Sequence, residues 1–275
     1  MMSQRNVLFF VNSARAEAKN ASETIISKLS EANIKAFSST DSSIPAVELV
    51  LVLGGDGTIL RGAEYAVAHN VPLLGINLGH VGFMAEVEAF TYEDVVKAVI
   101  DKDYVSDERM LLSFEVKRKG SIIERGWALN EVSIERKSTT MVELFVQIDN
   151  RPLSRWGCDG IICATPTGST AYAFSAGGPV LWPEVQALVL LPIAAHALFA
   201  KPMVIAPSST IGIAIESSDA SLSADALRKI ELKKDDEVAI TKNDTQITLA
   251  HLKSTVFTDR LVAKFKLPVE GWRGE

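Results

Sequence analysis

Cysteine is scarce in this chain: Cys158 and Cys163 are the only two in 275 residues. Five positions apart, they would face opposite ways along one extended strand, which argues against both a mutual disulfide and a C-x-x-C metal site. They read as small, reduced core residues of a cytosolic protein. Histidine is equally sparse. His69, His80, His196 and His251 form no H-E-x-x-H or His/Cys ligand set, which removes the familiar zinc chemistries and leaves no metal-ligand residues to name. A basic excess is also missing. Lys and Arg total 28 against 34 Asp and Glu, a net charge of −6, and a general nucleic-acid binder needs a dominant basic face. A small polyphosphorylated ligand stays compatible with this balance, because backbone N–H groups and one or two arginines suffice to hold it.

Long hydrophobic runs are absent too. The longest apolar region, residues 187 to 200, is broken by Pro192 and His196 and is too short to span a bilayer. The apolar stretch near the start is too short for a secretory core and reads as a first strand, Val7 to Val11. No internal repeat, low-complexity tract or Pro/Gly linker interrupts the chain. The expectation is a soluble, cytoplasmic protein with no membrane association, long enough for two modest domains.

The first hundred residues alternate strand-like and helix-like patterns. Ala21 to Asn33 carries Ile25, Ile26, Leu29 and Ala32 on one helical face, and Ile34 to Phe37 reads as a short strand. Leu49 to Leu53 is a continuous apolar run, as in a strand buried on both faces of a parallel sheet. It leads into Gly54-Gly55-Asp56-Gly57, where the glycines allow unusual backbone angles and close approaches, and then into a helical pattern over Thr58 to Ala68. Val71 to Asn77 is another buried strand, and Thr91 N-caps a helix to Ile100. Such alternation predicts a doubly wound parallel α/β domain, with Asp56 at the carboxyl end of a strand, where open α/β sheets bind ligands. After a short charged join at residues 101 to 110, the period changes to two. Val142, Leu144, Val146 and Ile148 share a face before an Asp149-Asn150 turn. Similar strands fall at Leu111 to Lys117, Ala128 to Ile134, Ile211 to Ile215, Glu237 to Thr241 and Gln246 to Leu249, which predicts an antiparallel, sandwich-like β domain.

Within the second half, Ile161 to Ala164 is a buried strand. The following Thr165-Pro166-Thr167-Gly168-Ser169-Thr170 sets four hydroxyls around one glycine, just before the helical pattern of Thr170 to Ala176. A loop of this kind offers N–H donors at a helix start and hydroxyls for phosphate, ribose or base edges. Gly177-Gly178-Pro179 ends the helix after two turns. On an otherwise apolar strand, Asn130 and Glu131 are adjacent and point oppositely, so at least one faces the interior or a cleft.

Taken together, Asp56 in GGDG, the Asn130-Glu131 pair in ALNEVSI, and the segment from Asp159-Gly160 through TPTGSTAYAFSAGGP resemble the NAD kinases, in the same order and at compatible spacing. The likeness covers roughly residues 49 to 207. NLGHVGFMAE and RPLSRWGCDG are similar to the versions found in actinobacteria. The resemblance implies transfer of a terminal phosphoryl group from ATP or polyphosphate to the 2′-hydroxyl of the adenosine ribose of NAD, giving NADP, with Mg²⁺ or another divalent cation accompanying the donor. It implies an N-terminal α/β domain at residues 1–108, a β-rich NAD-binding domain at 109–252 and a tail, 253–275, returning to the first domain, in a homodimer or homotetramer.

For single residues, the resemblance gives Asp56 the role of proton acceptor, a role that fits its place at the strand end. Gly57 would let the backbone approach phosphate, and Arg61, one turn into the helix, would face the phosphates or simply solvent. Asn130 would meet the adenine side, and Glu131 the ribose hydroxyls or a magnesium shell. Thr170, Ala171 and Ser175 would line the adenosine pocket with Thr167 nearby, Asp159 would accept from the nicotinamide carboxamide, and Tyr172 would stack near the nicotinamide. Phe83 would either gate the pocket or sit in the core. One departure stands out: Ala226 follows Asp225 where many members carry glycine or histidine, so a histidine contact there is lacking. GGDG alone is shared with lipid and sugar-phosphate kinases. A lipid kinase is therefore the rival enzyme, and a nucleotide-binding regulator without turnover is the non-enzymatic alternative.

Overall fold

The computed structural model describes residues 4–77, 84, 91–217, 220–253 and 256–269; Phe83 and His80 lie outside them. The chain divides into two units, Met1–Arg109 with Ile247–Glu275, and Met110–Gln246.

In the first unit the elements run β1 (Arg5–Val11), α1 (Ala16–Glu31), β2 (Ile34–Ser38), β3 (Leu49–Leu53), α2 (Asp56–His69), β4 (Leu73–Ile76) and α3 (Tyr92–Asp101). All five residues of β3 are buried because helices cover both sheet faces. Leu49, Leu51 and Leu53 pack with Ile25 and Leu29 of α1 and Val95 and Val99 of α3. Val50 and Val52 face α2, which comes so close that a Cβ on Gly62 would lie 2.7 Å from a Val52 methyl. The pairings β1–β2, β1–β3 and β3–β4 are all parallel. The order β2-β1-β3-β4 moves outward in opposite directions from β1 and β3, so the topological switch point lies between their carboxyl ends. The doubly wound parallel sheet expected from the sequence is present.

Helix α1 starts five residues before the predicted Ala21. The extra turn, Ala16 to Asn20, has helix-favouring residues but shows only Ala18 to the core, too little apolar signal to read. Helix α3 begins as expected: Thr91 accepts from the Asp94 N–H at 3.2 Å while the Asp94 carboxylate accepts from Thr91 N at 2.9 Å, a reciprocal capping box.

In the second unit the strands are β5 (Val105–Arg118, beginning just before it), β6 (Ser121–Ala128), β7 (Glu131–Arg136), β8 (Val142–Ile148), β9 (Arg151–Cys158) and β10 (Gly160–Ala164). A single 3₁₀ turn at Thr167–Thr170 precedes α4 (Tyr172–Ser175). Then come β11 (Leu188–Ile193), β12 (Met203–Ile205), β13 (Ile211–Ile215), β14 (Ala220–Ala224), β15 (Arg228–Leu232) and β16 (Glu237–His251); α5 (Phe257–Phe265) follows in the first unit. One antiparallel sheet has the order β12-β11-β10-β7-β14-β15. In the other, β9, β8, β13 and the first residues of β16 are neighbours, with β5 and β6 paired beside them. Val132, Ile134, Ile161 and Leu190 of the first sheet share a core with Val146, Trp156, Ile213 and Val238 of the second, the sandwich predicted from period-two patterning.

Two strand readings need correction. The expected strand Ala128 to Ile134 is broken at Leu129-Asn130, where the backbone leaves the ladder to bond elsewhere. The expected pair Glu237 to Thr241 and Gln246 to Leu249 is one continuous strand, β16. Its turn-like middle residues stay extended on an exposed stretch, and its end, Leu249-Ala250, pairs in parallel with β4. Cys158 and Cys163 occupy different strands rather than one, yet both are free and buried in the same core. Burial pushes their thiols up to about 11 and about 12, away from reactivity. Among the described residues no helix is long and apolar enough to cross a membrane.

Candidate active site

Asp56 is the first residue of α2 rather than part of a preceding loop, and Gly55 before it serves as N-cap with ordinary extended angles, φ −82° and ψ −176°. The glycines here do not use left-handed backbone; their value is space. A Cβ on Gly54 would lie 2.6 Å from Thr58 Oγ1 and 3.2 Å from the Asn12 Cβ, so β1, β3 and α2 meet there too tightly for a side chain. Among the described residues nothing lies within 4 Å of such an atom on Gly55 or Gly57, which leaves their backbone open to a ligand on that side. Asn12 N donates to Leu53 O at 2.9 Å, joining the ends of β1 and β3 across the switch point. Asp56 Oδ1 is buried without a hydrogen-bond partner. A carboxylate at a helix start is stabilised as the anion by the unsatisfied N–H groups there. A bare oxygen at such a place can accept a proton from a bound hydroxyl. Arg61, on the same helix, is exposed.

In the second unit the hydroxyl-rich loop is assembled mainly by its own hydroxyls, which the sequence suggests as hydrogen-bonding groups for a ligand. Thr165 Oγ1 donates to Leu129 O at 2.6 Å and accepts from Gly168 N at 3.0 Å. Ser169 Oγ donates to Pro166 O at 2.6 Å and accepts from Leu181 N at 2.9 Å, and Thr170 Oγ1 donates to Thr167 O at 3.2 Å. The loop is pressed on the Asn130 backbone: Thr165 N donates to Asn130 O at 2.8 Å, and a Cβ on Gly168 would lie 2.0 Å from that same oxygen. The expected two-turn helix is a 3₁₀ turn followed by the four residues of α4, and it stops at Gly177, whose φ is +87°.

This clasp brings Asn130, Glu131, Thr167, Thr170, Ala171 and Tyr172 together. Neither Asn130 nor Glu131 faces water as on an edge strand; they are 7% and 8% exposed, at the start of a strand flanked on both sides by β10 and β14. Asp225, which sequence reasoning left outside the site, organises the pair. Its buried carboxylate accepts from the backbone N–H of Leu129 at 2.8 Å, Asn130 at 2.7 Å and Glu131 at 3.3 Å. Asp225 and Ala226 both adopt left-handed backbone, φ +52° and +55°, and the Ala226 side chain brings no histidine-like group to this place. Burial first, and then the neighbouring Asp225 and Glu135 carboxylates, raise the Glu131 carboxyl to about 8, with the Tyr172 backbone N–H pulling against them. Its Oε2 is buried without a partner.

Two more residues were missed. Glu131, Ser133 and Glu135 alternate with core residues Val132 and Ile134 along β7, a polar row that the period-two pattern of NEVSIER already carried. Glu135 accepts from Ser133 Oγ at 2.9 Å and from Tyr172 Oη at 3.2 Å. Arg136 pairs with Asp159 at 2.6 Å while its backbone N–H donates to Asp159 O at 3.0 Å, so Asp159 is held before any ligand arrives. Burial, then the Glu135, Glu131 and Asp159 carboxylates, raise the Tyr172 hydroxyl above its ordinary value. Ser175, at the end of α4, has its backbone N–H on Ala171 O at 3.5 Å.

Family models match both halves of the chain: the ATP-NAD kinase N-terminal domain over residues 11–104 and the ATP-NAD kinase C-terminal domain over residues 129–252. A curated NAD kinase of Thermobifida fusca is 51% identical over 234 residues, which are 82% of this chain and 72% of that protein. Among solved structures, yeast NADH kinase complexed with NADH aligns with a TM-score of 0.81 at 27% identity, covering 94% of this chain and 86% of that one. An NAD kinase from Archaeoglobus fulgidus in complex with ATP aligns with a TM-score of 0.73 at 25% identity, covering 95% and 98%. The chain belongs to the NAD kinase family.

Proposed function

We propose that the chain transfers a terminal phosphoryl group to the 2′-hydroxyl of the adenosine ribose of NAD, making NADP, and that Asp56 accepts the hydroxyl proton. The observation that carries this reading is the Asp56 carboxylate, fixed at the carboxyl end of β3 beside the switch point with one oxygen left without a partner. Phosphoryl transfer asks little covalent chemistry of a protein: it needs positioned groups, charge stabilisation and a proton acceptor. Gly55 and Gly57 supply open backbone for phosphate, and Arg61 is an exposed cation on the same helix.

On the acceptor side, Asn130 meets the adenine, the bare Glu131 oxygen takes ribose hydroxyls, and Thr167, Thr170, Ala171 and Ser175 line the adenosine. Asp159 and Tyr172 take the nicotinamide end. Among the described residues no three His, Cys, Asp or Glu side chains form a metal cage. Mg²⁺ suits such a surface, because it keeps several waters, rides on substrate phosphates and uses one or two carboxylates, of which Glu131 has the free oxygen. When bound it would neutralise charge on the transferring phosphoryl group. The phosphoryl donor is ATP or polyphosphate, the enzyme is cytoplasmic, and it works as a homodimer or homotetramer; the buried, reduced cysteines fit a reducing compartment. The test is NAD with Mg²⁺ and either ATP or polyphosphate, with product read by an NADP-specific dehydrogenase. NADP formation supports the reading. Protein that binds NAD and makes none supports a regulator, and protein that neither binds nor turns over NAD reopens the lipid-kinase alternative.

A further inference from the structure

The surroundings of Tyr172 carry an excess of negative charge. Glu131 and Glu135 project from β7 on the Tyr172 side, Glu135 accepts the tyrosine hydroxyl at 3.2 Å, and Asp159 and the buried Asp225 complete the group. Glu131 stays the neutral acid below about pH 8, so two guanidiniums oppose three carboxylates, those of Glu135, Asp159 and Asp225. Arg136 is committed to Asp159 at 2.6 Å, and Arg228 is stacked over Trp127 at 4.4 Å and donates to Trp127 O at 2.6 Å. No function assigned above uses Glu135 or Arg136.

The oxidised and reduced acceptors share the adenosine and its 2′-hydroxyl, where the chemistry occurs. They differ at the other end, where the oxidised nicotinamide ring carries a positive charge and the reduced ring is neutral. A local carboxylate surplus acts on that difference alone. We propose that the carboxylates around Tyr172 make this protein select oxidised NAD over NADH, with Glu135 setting the preference and Arg136 limiting it. This rests on the kinase reading above and deepens it by naming what distinguishes one acceptor from the other. A family fold does not fix the choice, since the yeast relative with the same architecture is an NADH kinase.

Glu135 is half-buried, so its charge is screened but not abolished; one unit charge at such a site changes selectivity about two- to fivefold. The interaction is present both before and during transfer, so it acts through KM rather than kcat. Glu135→Gln is the informative variant, because it keeps the side chain's size and removes the charge: its amide oxygen accepts from one of the Ser133 and Tyr172 hydroxyls, and its NH2 donates to the other. Arg136→Gln removes the opposing charge and provides a second variant should the first misfold.

The experiment measures kcat/KM with NAD and with NADH for wild type, Glu135→Gln and Arg136→Gln, with the 2′-phosphorylated products quantified by chromatography. Wild type favours NAD. The NAD-to-NADH ratio falls about threefold in Glu135→Gln and rises by a similar factor in Arg136→Gln, mostly in KM, and both changes shrink at about 0.5 M salt. A preference for NADH in wild type, ratios unchanged in both variants, or ratios moving the same way in both overturns the proposal. No product from either acceptor in wild type defeats the kinase reading and this proposal with it, whereas product formation with indifferent ratios defeats the proposal alone.

Discussion

Replacing Glu131 by glutamine tests the electrostatic account of the acceptor site without any ligand. The carboxyl is 8% exposed, its Oε2 has no partner, and its value is raised from 4.5 to about 8 by burial first and by Asp225 next. The folded protein therefore holds a proton that the unfolded chain releases near 4.5. Between these values the native state binds more protons than the unfolded state, so stability falls as pH rises. The contribution is fully present below about 4.5 and lost once pH passes about 8. That interval corresponds to an upper bound of about 5 kcal/mol at about 1.4 kcal/mol per pH unit. Relaxation around the carboxylate brings the working figure to about 2–3 kcal/mol.

Glutamine copies the neutral acid in size and still accepts from the Tyr172 N–H. Thermal unfolding followed by tryptophan fluorescence, with Trp156 fully buried in the same unit, reports the outcome. At pH 5 the variant and wild type melt within a degree or two of each other; at pH 9 the variant melts about 5–10 °C higher. Titrations elsewhere in the chain are common to both proteins and cancel in the difference. A gap that does not widen with pH, or widens in the opposite sense, refutes the reasoning. The variant also binds NAD more weakly, because a carboxylate costly to bury is retained for the ribose hydroxyls it accepts.

Two further outcomes follow from the glycines. Gly168→Ala forces a Cβ to 2.0 Å from Asn130 O, against backbone that cannot yield, so it lowers the melting temperature by several degrees and abolishes NAD binding. Gly57→Ala adds a methyl where none of the described residues lies within 4 Å, so it leaves melting unchanged and reduces turnover at least tenfold by blocking the approach of phosphate, whereas Gly54→Ala, 2.6 Å from Thr58 Oγ1, destabilises first. Parallel melting curves and steady-state rates for the three variants check both statements.

Much of the fold was legible because the two halves carry different periods. The buried run at Leu49–Leu53 and the alternation of Val142, Leu144 and Val146 each reflect which faces meet a core, and those faces were read correctly. Boundaries were lost where the residues carry little periodic signal: the alanine-rich first turn of α1, the exposed middle of β16, and the break at Leu129-Asn130. That break exists because Asp225, 95 residues from Asn130, takes three consecutive backbone N–H groups out of the ladder. No local pattern reveals a partner so distant in the chain.

The site shows the same division. GGDG and TPTGST stand out by composition, but composition does not say which groups are spent on building the loop. Thr165, Ser169 and Thr170 are bound within it, Gly54 is held by packing, and Gly57 is left open. Sequence reading took Asn130 and Glu131 as opposite faces of a strand, while the structure buries both by bending the backbone between β6 and β7. Glu135 and Arg136 were visible as the continuation of an alternating row, but their partners, Tyr172 and Asp159, lie 37 and 23 positions further on and are joined to them only by the fold.

The central claim is that Asp56 accepts the proton of the 2′-hydroxyl. Asn is close in shape and cannot take up that proton, and the loss of a general base costs about 10²- to 10⁴-fold in rate. The direct measurement is kcat for wild type and Asp56→Asn in the NADP-forming assay, alongside NAD affinity by calorimetry and melting temperature for both proteins. The account predicts unchanged melting, NAD affinity within about threefold, and a kcat at least about a hundredfold lower. Full turnover by a folded, NAD-binding Asp56→Asn protein would contradict it.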